Sequence, residues 1–205
     1  GPFCSVPAVP TIAVVYPHMN SIGGDSFWLV HAPGLAPGAI DACGAAAKAA
    51  SIDAYKARGV TGAIPFRGGV AALTAAGTIS GWGAAHRLAT RSLGGRMPLK
   101  RLLADAIYYG KNGIPVTRSQ HENTKNKQAE LQSIPGFAET FLVDGAAPPI
   151  ASVFYQKRLA RTLEQIARKG TDDFYRGDLA QSIAKDLAKL DSPLTLADLH
   201  AHKAI

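Results

Sequence analysis

Apolar positions repeat in two periods along this chain, and the helical period is the clearer. Leu159, Leu163 and Ile166 fall three and four residues apart, as do Leu179, Ile183, Leu187 and Leu190. Side chains at those spacings share one helix face, so two amphipathic helices are predicted, the first stopping at Gly170. Thr195-Leu196-Ala197-Asp198 opens a further helix as a capping box, with aspartate in place of the usual glutamate. Met97-Pro98-Leu99-Lys100 opens another, with Pro98 suited to its first turn. There Leu99, Leu102, Leu103, Ala106 and Ile107 share a face, and Gly110 or Gly113 ends the run. Helical spacing also runs from Val70 to Leu88, weakened by Gly77, Gly81 and Gly83. Those glycines predict two helices or a close approach by a neighbour.

Towards the amino terminus the pattern changes. Ile12 to Val15 is apolar and largely β-branched, Pro17 ends it, Gly23-Gly24 can turn, and Phe27 to Val30 is apolar again. This reads as strand, glycine turn and buried strand, with residues 1–11 irregular. Ile40 and Ala42 fit one face of a short strand. Alanine-rich residues 45–55 favour a helix. Thr61 to Gly69 is a loop, and Ile114-Pro115-Val116 is extended. Residues 118–133 are polar and suit an exposed helix or a loop.

The whole chain, 205 residues with 47% hydrophobic and 18% charged positions, has an ordinary globular balance and can bury a sizeable core. It contains no run of about eighteen uncharged apolar residues, so no membrane span is expected. No charged segment followed by an apolar stretch opens it, so no signal peptide is expected, and Gly1-Pro2 reads as a tag scar. The formal charge is +7, but lysines and arginines are scattered and no basic stripe carries interleaved aromatics. Nucleic acid is therefore not an expected partner.

Candidate chemistry is sparse. Cys4 and Cys43 are the only cysteines and read as unpaired thiols. The six histidines show no HxxxH or HExxH spacing, so no metal site is expected. The glycine pairs form neither a dinucleotide fingerprint nor a P-loop. Asp172-Asp173 ahead of Phe174-Tyr175 reads as a helix cap, and Trp28 and Trp82 read as core or subunit-contact residues.

Several segments together resemble a known family. Val14-Val15-Tyr16-Pro17 through Ile22-Gly23-Gly24-Asp25-Ser26-Phe27 is similar to a "VVEPxxSGIGGGGF" segment. Cys43 to Ala50 stands where a "REtAP" segment belongs, and Ile64 to Leu73 where "vPGxvxGl" belongs. Leu102 to Val116 resembles "LLxpAIxlAxxGfxV". Leu159 to Ala180 resembles "LAxTLxxIAxxGxxxFYxGxxA", and Leu194 to Leu199 resembles "lTxxDL". In this order they are the motifs of the large subunit of the γ-glutamyltranspeptidase family.

That resemblance implies an α/β (α+β) chain that forms part of a four-layer αββα N-terminal nucleophile hydrolase sandwich, with residues 1–205 a partial large-subunit segment. It implies a self-cleaving precursor whose small subunit begins with the nucleophilic threonine, and a small γ-glutamyl or related amide as substrate. No cofactor is implied, the compartment would be periplasmic or extracellular, and this chain alone would be inactive. The family's motif arginine grips the glutamyl carboxylate. Here Cys43 holds that position and cannot do so. Three readings follow: a substrate that is not γ-glutamyl, another cation with Arg67 as the candidate, or recognition by residues outside this chain. A nucleophilic role for Cys43 has no histidine at a suggestive spacing to support it. A non-catalytic scaffold of the same fold is the alternative to an enzyme.

Overall fold

The computed structural model of the protein describes residues 5–205, so Cys4 and the Gly1-Pro2 start lie outside the described residues. In chain order the elements begin with α1 (Ser5–Val15), β1 (Ser26–Val30), β2 (Gly38–Ala42) and α2 (Ile52–Ala57). A 3-10 turn (Gly69–Ala71) precedes α3 (Thr78–Ser92), α4 (Leu99–Leu102), α5 (Ala104–Asn112) and β3 (Ile114–Pro115). Then come α6 (Arg118–Leu131), α7 (Phe137–Phe141), β4 (Val153–Phe154) and α8 (Lys157–Lys169). The chain finishes with α9 (Asp173–Arg176), α10 (Asp178–Lys189) and α11 (Leu196–Ala201). These residues form two compact units, one from residues 5–21 and Met97–Arg168, the other from Ile22–Arg96 and Lys169–Ile205.

In the first unit α1 packs on α5, with Ala13 and Val14 buried alongside Leu103 and Ala106. The strand expected over Ile12–Val15 is therefore the last turn of a helix, and residues 5–11 of the expected irregular start are its beginning. Packing against a helix outweighs the local β preference of a short branched run. The face predicted from Leu159, Leu163 and Ile166 is found in α8, where Ala160, Leu163 and Ile166 are buried. Gly110 lets α8 come close: a Cβ there would stand 3.0 Å from that of Ala160. The chain leaves α5 through Gly113 at φ +88, a left-handed turn that favours glycine, into β3, which pairs antiparallel with β4. Ile114, Val116 and Phe154 bury together there. The polar run forms a helix, α6, with Thr117 capping its start.

The second unit holds the antiparallel pair β1–β2, in register Trp28 opposite Ile40, with α3 against it. Ile40 and Ala42 point inward as predicted, with Ala85 and Ala204. Ile205 exchanges both backbone hydrogen bonds with Asp41, at 2.7 and 2.9 Å. β1 is half-buried rather than fully buried: Phe27 is 68% and Leu29 93% exposed.

The helix expected from Ala45 begins only at Ile52, where the Ser51 hydroxyl accepts from Ala54 N–H. Residues 45–47 lie extended instead, paired to residues 73–75 through Ala47 N to Leu73 O and Ala75 N to Ala45 O. That backbone pairing outweighs alanine's helix propensity. The same pairing delays the helix expected from Val70, so α3 starts at Thr78. The cap expected from Asp172-Asp173 ahead of Phe174 is not made: Asp172 stands at the start of α9 without a side-chain cap bond, and Asp173, the first residue of α9, instead accepts from Asp178 N–H at the start of α10. Among the described residues no helix is long and apolar enough to cross a membrane.

Candidate functional site

The carboxylate of Asp25 gathers three loop ends of the second unit. Asp25 stands just before β1, Cys43 and Gly44 just after β2, and Gly77 at the start of α3. One carboxylate oxygen, Oδ1, accepts from Gly44 N–H at 2.9 Å and Gly77 N–H at 3.3 Å. The other, Oδ2, lies 3.6 Å from the Cys43 thiol, which donates to it. Asp41, on β2, accepts from Cys43 N–H at 2.8 Å.

Two close backbone approaches make this junction. A Cβ on Gly44 would stand 1.6 Å from Ala75 O, and one on Gly77 would stand 1.7 Å from Ala42 O. Neighbouring bonds hold the turn: Gly24 O accepts both Thr78 N–H (2.9 Å) and the Thr78 hydroxyl (2.8 Å). Beneath it, the buried Tyr175 hydroxyl donates to Ala76 O at 2.7 Å and accepts from Ser80 N–H at 2.9 Å. Burial pushes the Tyr175 pKa far above its usual range, so this hydroxyl keeps its proton.

The electrostatics at position 43 are the reverse of a carboxylate clamp. The negative charge of Asp25 raises the Cys43 pKa, with smaller contributions from burial, the hydrogen bond to Asp25 and the charge of Asp41. A thiol held protonated is a weak nucleophile. Arg67 sits on the exposed loop before the 3-10 turn and donates to Phe66 O at 3.3 Å. Among the described residues no group of three or more potential metal ligands comes together.

Sequence reasoning missed Asp25. The signal was available: it interrupts the glycine run of the segment it resembles, Gly23-Gly24-Asp25-Ser26 standing where four glycines are expected.

Replacing Asp25 with Asn is expected to raise the alkylation rate of Cys43 at neutral pH. Thiolate fraction rises about tenfold for each pKa unit lost while the thiol is mostly protonated. Iodoacetamide labelling read by peptide mapping separates Cys43 from Cys4. Equal rates in the two proteins would mean that Asp25 does not hold the thiol.

The Gamma-glutamyltranspeptidase family model matches residues 5–205. An oxamate amidohydrolase proenzyme of Klebsiella pneumoniae is 52% identical over 97% of this chain and 37% of its own length. A glutathione hydrolase-like YwrD proenzyme of Bacillus subtilis is 39% identical over 94% of this chain and 35% of its own. Among solved structures, the γ-glutamyltranspeptidase of Helicobacter pylori superposes with a TM-score of 0.87 at 26% identity. It is covered over 57% of its length by 98% of this chain. A cephalosporin acylase of Bacillus halodurans also gives 0.87, at 29% identity, over 98% of this chain and 37% of its own. The chain thus spans about a third of the length of the curated relatives it matches.

Proposed function

This chain belongs to the γ-glutamyltranspeptidase family, with the N-terminal nucleophile hydrolase fold, and from that premise we propose that the complete protein hydrolyses a small amide that is not γ-glutamyl. The chain is large-subunit material, and its family is enzymatic. The nucleophile in this reading is a threonine outside the chain, at the start of a small subunit released from the same precursor. Its hydroxyl attacks the amide carbonyl, the amine or ammonia leaves, and water then hydrolyses the ester to free the acid.

The observation that carries the reading is the pair Cys43 and Asp25. Where the family's arginine would grip a glutamyl carboxylate, this chain places a neutral thiol donating to a carboxylate. A glutamyl carboxylate brought there would face like charge without a guanidinium to offset it. The 52% identity to a protein named for oxamate supports a small carboxamide as substrate. Arg67 is the cation in this chain proposed to attract an anionic substrate.

The exposed apolar residues of β1 support the subunit partner. Phe27 and Leu29 form a sheet face of the kind that a further layer of the sandwich covers.

The test uses the full-length gene product. Intact mass before and after incubation is expected to show one cleavage that leaves a new amino-terminal threonine. Ammonia release from oxamate is then expected to exceed nitroaniline release from γ-glutamyl nitroanilide, and Arg67→Ala is expected to raise KM for oxamate. An uncleaved chain would favour the scaffold reading. Faster turnover of the anilide would overturn the exclusion of γ-glutamyl substrates.

A further inference from the structure

Four cations of the second unit surround one half-open cavity of about 370 Å³. Arg87 and Arg91 come from α3, Arg176 from the end of α9, and Lys203 from the segment after α11. Ser80, Arg87 and Arg91 are seven and four residues apart, so they form one stripe along α3. Gly83 brings the wall in: a Cβ there would stand 2.4 Å from the Thr171 hydroxyl and 3.2 Å from Arg87 Nη1.

Among the described residues the lining holds one carboxylate, and it is taken. Asp172 accepts from Arg176 Nη1 at 2.5 Å, while Arg176 Nη2 donates to His202 O at 2.8 Å. Those two bonds fix the Arg176 guanidinium at the rim. Arg87, Arg91 and Lys203 have no carboxylate within 4.0 Å among the described residues. Elsewhere many surface cations are paired, as in Arg58 with Asp191, Lys111 with Glu164 and Arg158 with Glu139. His202 lines the same wall at 6% exposure, its ring packed on Tyr175, and its Nε2 is buried without a hydrogen-bond partner. Buried polar atoms are seldom left so.

We propose that this cavity binds a small oxyanion carrying two negative charges, a dicarboxylate or a phosphate. Like charges held together raise the local potential, and a dianion relieves it. Arginine forks match the oxygens of both chemistries. The volume lies at the low end of ligand sites, which suits a small molecule. This site is independent of the amide-hydrolysing reading.

The experiment is calorimetric titration of the full-length protein with malonate and with inorganic phosphate, at constant ionic strength set by potassium chloride. Saturable binding of one or both is expected, and the tighter of the two names the chemistry. Arg87→Gln and Arg91→Gln, both at exposed side chains, are each expected to weaken it about tenfold, the scale of one charge-assisted contact. Arg101→Gln, in the other unit, serves as the control and is expected to leave it unchanged. Absence of saturable binding overturns the proposal, including where a carboxylate from elsewhere in the protein already fills the cavity. Binding equal in the wild type and both cavity variants overturns it too.

Discussion

Gly77→Ala is expected to destabilise the protein by about 3 kcal/mol or more, the upper end for a forced overpacking. The added Cβ would stand 1.7 Å from Ala42 O and 2.7 Å from Ala42 C, and both are backbone atoms at the end of β2. No side-chain rotation relieves such a contact, so either α3 or the strand must move. Movement of either one breaks the Asp25 junction, because Gly77 N–H and Gly44 N–H share the same carboxylate oxygen. Gly44→Ala should behave alike, since its Cβ would meet Ala75 O at 1.6 Å. The control is Gly94→Ala. Gly94 has φ +69 with nothing within 4 Å of its Cβ position, so only backbone strain of about 1 to 2 kcal/mol is expected. Urea unfolding of the full-length variants, followed by tryptophan fluorescence, checks the ranking. Trp82 lies buried in α3 and reports on this unit. If Gly77→Ala and Gly94→Ala unfold at the same urea concentration, the close approach carries no energetic weight.

The same contrast explains what the sequence could and could not reveal. Local, periodic features were legible. The face of α8, Ile183 and Leu187 on the face of α10, the inward pair Ile40 and Ala42, a glycine break at Gly110 or Gly113 and the capping box at Thr195 each follow from residues within a few positions of one another. Features decided by distant backbone were not. Ile12–Val15 has the composition of a strand but is held as helix by α5, about ninety residues further on. Ala45–Ala47 has helix propensity but pairs with residues 73–75. The motif order identified the family, because a motif is a local pattern repeated in a fixed sequence. The first motif showed Asp25 as an interruption of its glycine run but not what Asp25 does, because an aspartate beside two glycines is also ordinary turn composition. Its role exists only once Cys43, Gly44 and Gly77 are folded against it. The basic cavity was hidden for the same reason: Arg87 and Arg91 meet Arg176 and Lys203 only in three dimensions.

Asp198→Ala is expected to cost about 3 kcal/mol, combining a lost helix cap with an unsatisfied buried donor. Asp198 is 8% exposed. Its Oδ2 accepts from Thr195 N–H at 2.9 Å and from the Thr195 hydroxyl at 2.6 Å, which closes the capping box of α11. Its Oδ1 accepts from Lys48 N–H at 3.0 Å, so one carboxylate ties α11 to the extended segment after β2. Alanine would leave both amides without that partner. Asp198→Asn keeps an acceptor but loses the charge, so a smaller loss is expected. The pH dependence separates this from a packing defect. Burial alone would raise the carboxyl pKa, but the bonds from Thr195 and Lys48 outweigh it and hold the pKa below the usual carboxylate value. A folded pKa below the unfolded one means that the unfolded state binds the proton more readily. The stabilisation is therefore complete above about pH 4 and is lost as pH falls through the folded pKa. Wild type and Asp198→Ala are expected to differ most near neutral pH and to converge under acid, in urea midpoints measured across that range. A difference that stayed constant with pH would assign the effect to lost packing and not to the ionised carboxylate.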